Sequence, residues 1–113
     1  MSNLTNKKCE PCSGNTPKLT MGEIKNKLSE INEWELNDNK EMIFKKFKFK
    51  SFKKALHFTN LVGELAEEEG HHPDFSLGWG YCLIMIHTHA IKGLSINDFI
   101  LAAKIDQVTQ QNQ

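Results

Sequence analysis

The chain has 113 residues, of which 39% are hydrophobic and 25% charged, and its 14 Lys and Arg residues balance its 14 Asp and Glu residues. This length fits one compact domain, and the zero net charge excludes a protein-wide attraction to nucleic acid. No apolar segment approaches the length of a membrane span, and the first residues lack the hydrophobic stretch of a secretory signal. Three cysteines, an odd number, do not predict a secreted disulfide framework. We therefore expect a soluble cytoplasmic protein with reduced thiols.

The first half of the chain predicts a tail, a helix and a hairpin. Residues 1–18 are polar and rich in turn-forming residues, which predicts a flexible N-terminal tail. Thr20 and Glu23 have the spacing of a capping box, so the first helix begins there. Residues 34–36 and 42–49 have the composition of two short strands, with turn-forming residues between them. These segments predict a β-hairpin.

A second helix is predicted between Ser51, which suits an N-cap, and Gly70, which suits a left-handed turn at the C-terminus. Its apolar spacing predicts an inward face made of Phe52, Ala55, Leu56, Thr59, Val62 and Ala66. This helix would cover the sheet.

The second half of the chain predicts two more strands and a final helix. Residues 75–77 read as a short strand, and residues 81–89 as a long strand that is apolar on both faces and therefore central. Ser95 and Asp98 have the spacing of a second capping box, with Asp in place of Glu. A helix begins there and runs to the Gln-rich end of the chain.

The order of these elements is α-β-β-α-β-β-α. It predicts an α+β fold in which a four-stranded antiparallel sheet carries three helices on one face. The fold would occupy residues 19–109 as a single domain, and residues 110–113 would form a frayed C-terminus.

The most informative stretch is the corner Gly70-His71-His72-Pro73, followed by His89 at the end of the predicted strand. Pro73 biases His72 towards extended geometry, so the corner is stiff. An unperturbed imidazole has a pKa of about 6.5, near neutrality. Rigidly placed histidines therefore indicate proton transfer or metal binding.

The residues around this corner resemble a known family. Glu67 to Phe75 (EEEGHHPDF), Thr88-His89, and Gly93-Leu94-Ser95 with Asp98 resemble the pterin-4a-carbinolamine dehydratases over residues 19–108. The resemblance implies removal of water from 4a-hydroxytetrahydropterin to give quinonoid dihydropterin, in recycling of the cofactor of aromatic amino acid hydroxylases. It also implies a homodimer or homotetramer. The elimination needs one proton delivered and one removed, so no metal and no cofactor is expected.

The resemblance implies the site residues as well. His71, His72 and His89 would be the active-site histidines, with His71 and His89 transferring protons and His72 positioning the substrate. The remaining substrate-binding positions that we expect are Glu67, which would orient an imidazole or bind the pterin, and Phe75, Thr88 and Asp98. Taken singly, these residues have structural explanations too, and a capping role accounts fully for Asp98.

Two other function classes are compatible with the residues. One is a metal site whose ligands would be His71, His72, His87 and His89. No carboxylate or cysteine completes an obvious ligand set, and Cys9-x-x-Cys12 supplies only one thiol pair. A non-catalytic binding or dimerisation module, or a transcriptional coactivator, is the other, because lysines alternate with phenylalanines over residues 44–54 in a pattern that could contact nucleic acid. A strand with one buried face explains that alternation better, so we expect neither a nucleic-acid nor a membrane partner.

Overall fold

In the computed structural model, a four-stranded antiparallel sheet carries three helices, which confirms the predicted α+β class and element order. The structure describes residues 3–11 and 13–112, with side chains up to Thr109. The sheet order is β1-β2-β4-β3. The elements are α1 (Met21–Leu28), β1 (Glu35–Leu36), β2 (Ile43–Lys48), α2 (Phe52–Glu69), β3 (Asp74–Gly78), β4 (Tyr81–Ile86) and α3 (Ile96–Asn112).

Strand β4 is central, as its two apolar faces predicted. Cys82, Ile84 and Ile86 are fully buried against the helices. The strand ends at Ile86 rather than at His89, because no strand among the described residues pairs with it beyond that point. Strand β2 begins opposite Ile86, and β3 begins opposite Met85. Beyond that point the chain makes one bridge, between Thr88 and Gly93, and turns into the 3₁₀ segment His89–Ile91.

Helix α2 begins and ends where the sequence predicts. The Ser51 hydroxyl accepts the amide of Lys54, and Gly70 adopts a left-handed φ of 67°. Its inward face differs from the prediction, since Phe52 and Leu56 are exposed while Phe58 is fully buried. The Phe58 ring packs 4.9 Å from the Phe47 ring and 5.0 Å from that of Phe49, and these contacts with the sheet set the rotation of the helix. The buried stripe is Ala55, Phe58, Val62, Ala66 and Glu69.

The two predicted capping boxes differ in outcome. At α1 both bonds form, since Thr20 Oγ1 accepts the Glu23 amide and Glu23 Oε1 accepts the Thr20 amide. At α3 only one forms: Asp98 Oδ2 accepts the Ser95 amide at 2.8 Å, while the Ser95 hydroxyl bonds Thr88 instead. Helix α3 is buried along much of its length and continues to Asn112. In the described part of the chain, no helix is both long and apolar enough to span a membrane.

The lysine-rich strand β2 has one buried face, as its alternation predicted. Phe47 is 2% exposed and lies in the core. Lys45 lies on the same face and is half-buried; its Nζ is 2.9 Å from Asp106 Oδ1 in α3 and 4.8 Å from the centre of the Phe47 ring. This lysine therefore ties the hairpin to the last helix instead of facing solvent.

The N-terminal segment differs from the predicted flexible tail over residues 4–10. Leu4 is 2% exposed and Cys9 7% exposed. The Cys9 amide donates to Glu69 Oε1 at 2.9 Å, and the Glu10 backbone makes two hydrogen bonds with the side chain of Asn97. Composition did not predict this packing because every partner lies at least 60 positions away. Cys12, the other half of the Cys-x-x-Cys pair, lies outside the described residues.

Glu69 joins this segment to two helices. Its carboxylate accepts the Cys9 amide and pairs with Lys104 Nζ of α3 at 2.6 Å. Burial raises the carboxyl pKa, but the Cys9 amide and the charge of Lys104 outweigh it and hold the pKa of Glu69 below its ordinary 4.5. Burial and the adjacent Glu69 charge raise the pKa of the Cys9 thiol to about 12, so this cysteine is uncharged at neutral pH.

Glu69→Gln is therefore expected to destabilise the fold in a pH-dependent way. A carboxyl whose pKa is lower in the folded chain contributes stability above its unfolded pKa, and the contribution is lost as the pH falls through the folded pKa. At pH 7 the variant should lose about 1–3 kcal/mol of unfolding free energy, measured by urea denaturation, because hydrogen bonds to a charged group are broken. The difference from wild type should shrink below about pH 4. The exposed neighbour Glu68→Gln is the control, and an equal loss for Glu69→Gln at pH 3 and pH 7 would contradict the charge-based explanation.

Candidate active site

The carboxylate of Asp98 lies at the centre of a buried hydrogen-bond network. Its side chain is fully buried in the first turn of α3. Oδ2 accepts the Thr88 hydroxyl and the Ser95 amide, each at 2.8 Å, and Oδ1 lies 2.6 Å from His71 Nε2. The hydroxyls of Thr88 and Ser95 are also 2.8 Å apart. Three segments distant in sequence thus meet at one carboxylate.

This network fixes the orientation of His71, which is 6% exposed. Gly70 turns the chain at the end of α2, and the His71 amide bonds the carbonyl of Ala66. Since a carboxylate only accepts hydrogen bonds, Nε2 of His71 is the donor to Asp98. A fixed donor on one ring nitrogen fixes the tautomer and the plane of the imidazole. The arrangement is that of an acid/base histidine oriented by a buried aspartate.

His72 points to a different carboxylate at the surface. Its Nε2 hydrogen-bonds Oε2 of Glu67, a residue in the last turn of α2. Both side chains are mostly exposed, so water screens their attraction. The neighbouring histidines therefore have separate partners, one buried and one at the surface.

His87 and His89 lie together on the outer side of the sheet. Their ring centres are 4.0 Å apart, and His87 Nε2 is 3.6 Å from Asp74 Oδ2. Asp74 begins β3 and pairs in register with Met85, which places it diagonally across from His87. The same register puts both side chains on one face of the sheet.

A pocket of about 220 Å³ opens between these groups, lined by Gly70, Thr88, Ala90 and four histidines, His71, His72, His87 and His89. The structure thus brings the three predicted active-site histidines to one cavity. Thr88 also lines it, although its hydroxyl is bonded to Asp98 and Ser95. Asp98 lies beneath the pocket, behind His71.

Two predicted substrate-binding residues lie outside this cavity. Glu67 is exposed next to His72. Phe75 is 37% exposed on the edge strand β3, opposite Ile84, and therefore on the helix side of the sheet. The structure does not bring the Phe75 ring to the histidines.

Sequence reasoning missed the roles of Ser95 and Asp74. Ser95 belongs to the family motif and is predicted as a helix cap, whereas the structure shows that its hydroxyl also helps to hold Thr88. Asp74 supplies the carboxylate that the predicted histidine set lacked. Its position was readable in principle, because a two-residue turn at Trp79-Gly80 fixes the register of the β3-β4 hairpin. The sequence alone did not fix the length of that turn.

Together, the fold and the pocket define a class of small α+β proteins with a pocket lined by several histidines. The family model for pterin 4 alpha carbinolamine dehydratase matches residues 17–108. The chain belongs to the pterin 4 alpha carbinolamine dehydratase family, as its motifs predicted.

Relatives and solved structures agree with this placement. The chain is 47% identical over 108 residues to a Methylococcus capsulatus protein, and the match covers 96% of this chain and 95% of that protein. It is 51% identical over 109 residues to an Alkaliphilus metalliredigens protein, and that match covers 95% of this chain and 96% of that protein. Both carry the name pterin-4-alpha-carbinolamine dehydratase as an unconfirmed assignment. The crystal structure of a transcriptional coactivator/pterin dehydratase from Brucella melitensis is similar with a TM-score of 0.78 and 28% identity, over 81% of this chain and 98% of that one. A pterin dehydratase-like protein identified as a RuBisCO assembly factor in the α-carboxysome is similar with a TM-score of 0.59 and 26% identity, over 68% and 89%.

The Asp98 network makes a testable contribution to stability. Thr88→Val keeps the shape of the side chain but removes the hydroxyl that donates to the buried carboxylate. We expect a loss of about 1–3 kcal/mol of unfolding free energy, because a buried charged group is left with one partner fewer.

Thr109→Val is the matched control for urea denaturation. Thr109 is also buried, but its hydroxyl bonds only the carbonyl of Ile105 within the same helix. Its substitution should cost less than about 1 kcal/mol. Equal losses for the two variants would show that the Asp98 network has no special weight in the fold.

Proposed function

We propose that this protein is a dehydratase that converts 4a-hydroxytetrahydropterin to quinonoid dihydropterin and water. The observation that carries the proposal is the His71-Asp98 pair, which presents an oriented imidazole to a pocket that His72 and His89 share. Family membership and the names of the close relatives support the same reaction.

The reaction needs two proton transfers. The bond between C4a and the hydroxyl oxygen breaks, the departing hydroxide takes a proton and leaves as water, and a ring nitrogen loses a proton to form the new C=N double bond. An imidazole titrates near neutrality, so it both donates and accepts protons at physiological pH. We assign these two steps to His71 and His89, which line the pocket from different segments of the chain.

The remaining residues position the substrate or the catalytic groups. His72 lines the rim of the pocket and is assigned to substrate positioning. Glu67 is assigned to orienting the His72 imidazole, because the two side chains are hydrogen-bonded. Asp98 and Thr88 are assigned to positioning His71, because their side-chain oxygens bond one another within the protein. We place the reaction in tetrahydropterin recycling for an aromatic amino acid hydroxylase, as the family resemblance implies.

The test is an assay of dihydropterin formation from enzymatically generated carbinolamine. His89→Ala should lower kcat by about 10²–10⁴-fold, because one positioned acid or base contributes that much. His71→Ala should do the same, but it also removes one of the three donors to the buried carboxylate of Asp98. His71→Gln, which retains a donor, therefore accompanies it to separate lost chemistry from lost folding.

His57→Ala is the control, since His57 is exposed on α2. It should keep the wild-type rate. Equal rates for wild type, His71→Gln and His89→Ala would reject the histidine mechanism. A folded wild-type chain no faster than the spontaneous background would favour a binding role instead, which the names of the two structural neighbours also include.

We also propose that the chain forms a homodimer or homotetramer. Large apolar side chains remain exposed in the single chain, among them Phe52 at 45%, Leu56 at 39% and Trp79 at 71%. Strand β3 is also an uncovered sheet edge, which favours pairing with another chain.

Sedimentation equilibrium of the wild-type chain should give two or four times the chain mass of 12.9 kDa. Leu56→Glu should reduce the association by placing a charge in an apolar interface, while Glu64→Gln on the same helix serves as a control for a surface change. A monomeric wild type at about 100 µM, well above the Kd of a stable homodimer, would contradict the proposal.

A further inference from the structure

Four histidines lie around the pocket, and three carboxylates divide them into distinct sets. Asp98 holds His71, Glu67 holds His72, and Asp74 lies against His87. The four-histidine metal site considered from the sequence is therefore not the arrangement that forms. The set with the chemistry of a metal site is Asp74, His87 and His89.

The geometry of this set is close to that of a transition-metal site. One ligand atom from each residue lies within 4.8 Å of the other two, and the Asp74 to His87 separation is 3.6 Å. Bonds of about 2.0–2.2 Å in a tetrahedral zinc site put neighbouring ligand atoms roughly 3.3 Å apart. Small side-chain rotations close the difference, and the partial exposure of all three side chains permits them.

The backbone that carries these ligands is held on both sides. Asp74 is in register with Met85 through the β3-β4 hairpin. Thr88, between the two histidines, is fully buried and bonded to Asp98 and Ser95. Because Thr88 is fixed inward, His87 and His89 lie together on its two sides. The ligands thus start from a rigid frame, which lowers the entropic cost of binding an ion.

We propose that Asp74, His87 and His89 form a binding site for a divalent transition ion of the Zn²⁺ class, with a fourth position open to water. Two imidazoles and one carboxylate are a ligand set that Zn²⁺ takes at open sites. The consequence for activity rests on the proposed function: an ion on the imidazole of His89 removes that group from proton transfer and fills part of the pocket. Zn²⁺ then acts as an inhibitor that competes with the pterin.

Metal binding is measured without reference to activity. The full chain is freed of metal with a chelator, exchanged into chelator-free buffer and titrated with Co²⁺, whose visible absorption reports ligand number, and with Zn²⁺ by calorimetry. We expect one ion per chain. Asp74→Asn and His87→Gln should each weaken binding at least tenfold while keeping side-chain size.

Three control variants define the ligand set. His57→Gln and Asp38→Asn make the same chemical changes at exposed positions elsewhere and should bind as wild type does. His72→Gln removes a histidine of the same pocket that lies outside the set and should also bind normally. Circular dichroism and a thermal melt verify that each variant is folded, and Zn²⁺ should raise the Tm of wild type but not that of Asp74→Asn.

The outcomes separate this proposal from the proposed function. Absence of stoichiometric Co²⁺ or Zn²⁺ binding by the wild type overturns it, as does equal weakening by His72→Gln and His87→Gln, which would mean a diffuse histidine cluster. In the dehydratase assay, Zn²⁺ should inhibit wild type at lower concentration than Asp74→Asn, each compared with its own metal-free rate. If the metal binds but the chain has no dehydratase activity, the site stands and only the proposed function fails.

Discussion

The buried carboxylate of Asp98 is the constraint on which the site depends. A carboxylate removed from water costs several kcal/mol unless hydrogen bonds and opposite charge offset the loss. Here the donors come from the corner after α2, the segment after β4 and the start of α3, namely His71, Thr88 and Ser95. Because the carboxylate needs all three, these segments hold one relative position. The pocket is the space that this arrangement leaves open.

The histidines around that pocket differ in how deeply their side chains are buried. The His71-Asp98 pair is enclosed, so its geometry is rigid and its interaction strong. The His72-Glu67 pair is exposed, and such pairs contribute at most about 1 kcal/mol. His87 lies between these extremes. The buried end of the pocket is therefore held more firmly than its exposed rim.

The N-terminal segment adds a second brace behind the same corner. Glu69 precedes Gly70 and His71, and its side chain accepts the amide of Cys9. Asn97 precedes Asp98, and its side chain accepts the amide of Glu10. Lys104 completes the link from α2 to α3 through Glu69. Residues with the composition of a loose tail thus cover the back of the helices that carry the site.

Local signals predicted the elements well, and non-local packing accounts for what they missed. Thr20, Ser51 and Gly70 act within a few residues of themselves, so their capping roles were readable. The rotation of α2 about its axis was not predicted, because the helix has more apolar residues than one face can bury. Contact of Phe58 with Phe47 and Phe49 determines which of them face the sheet. The end of β4 likewise depends on where the neighbouring strands begin.

The sequence by itself determined the family and the order of the elements, because motif residues and caps are properties of short stretches of chain, and its motifs singled out His71, His72 and His89. Only the tertiary structure decided the partners of those histidines. It put Asp98 under His71 and Asp74 beside His87, and it left Phe75 away from the pocket. Which carboxylate meets which imidazole depends on strand register and on burial, over separations of 5 to 27 positions, and the family motif does not specify it.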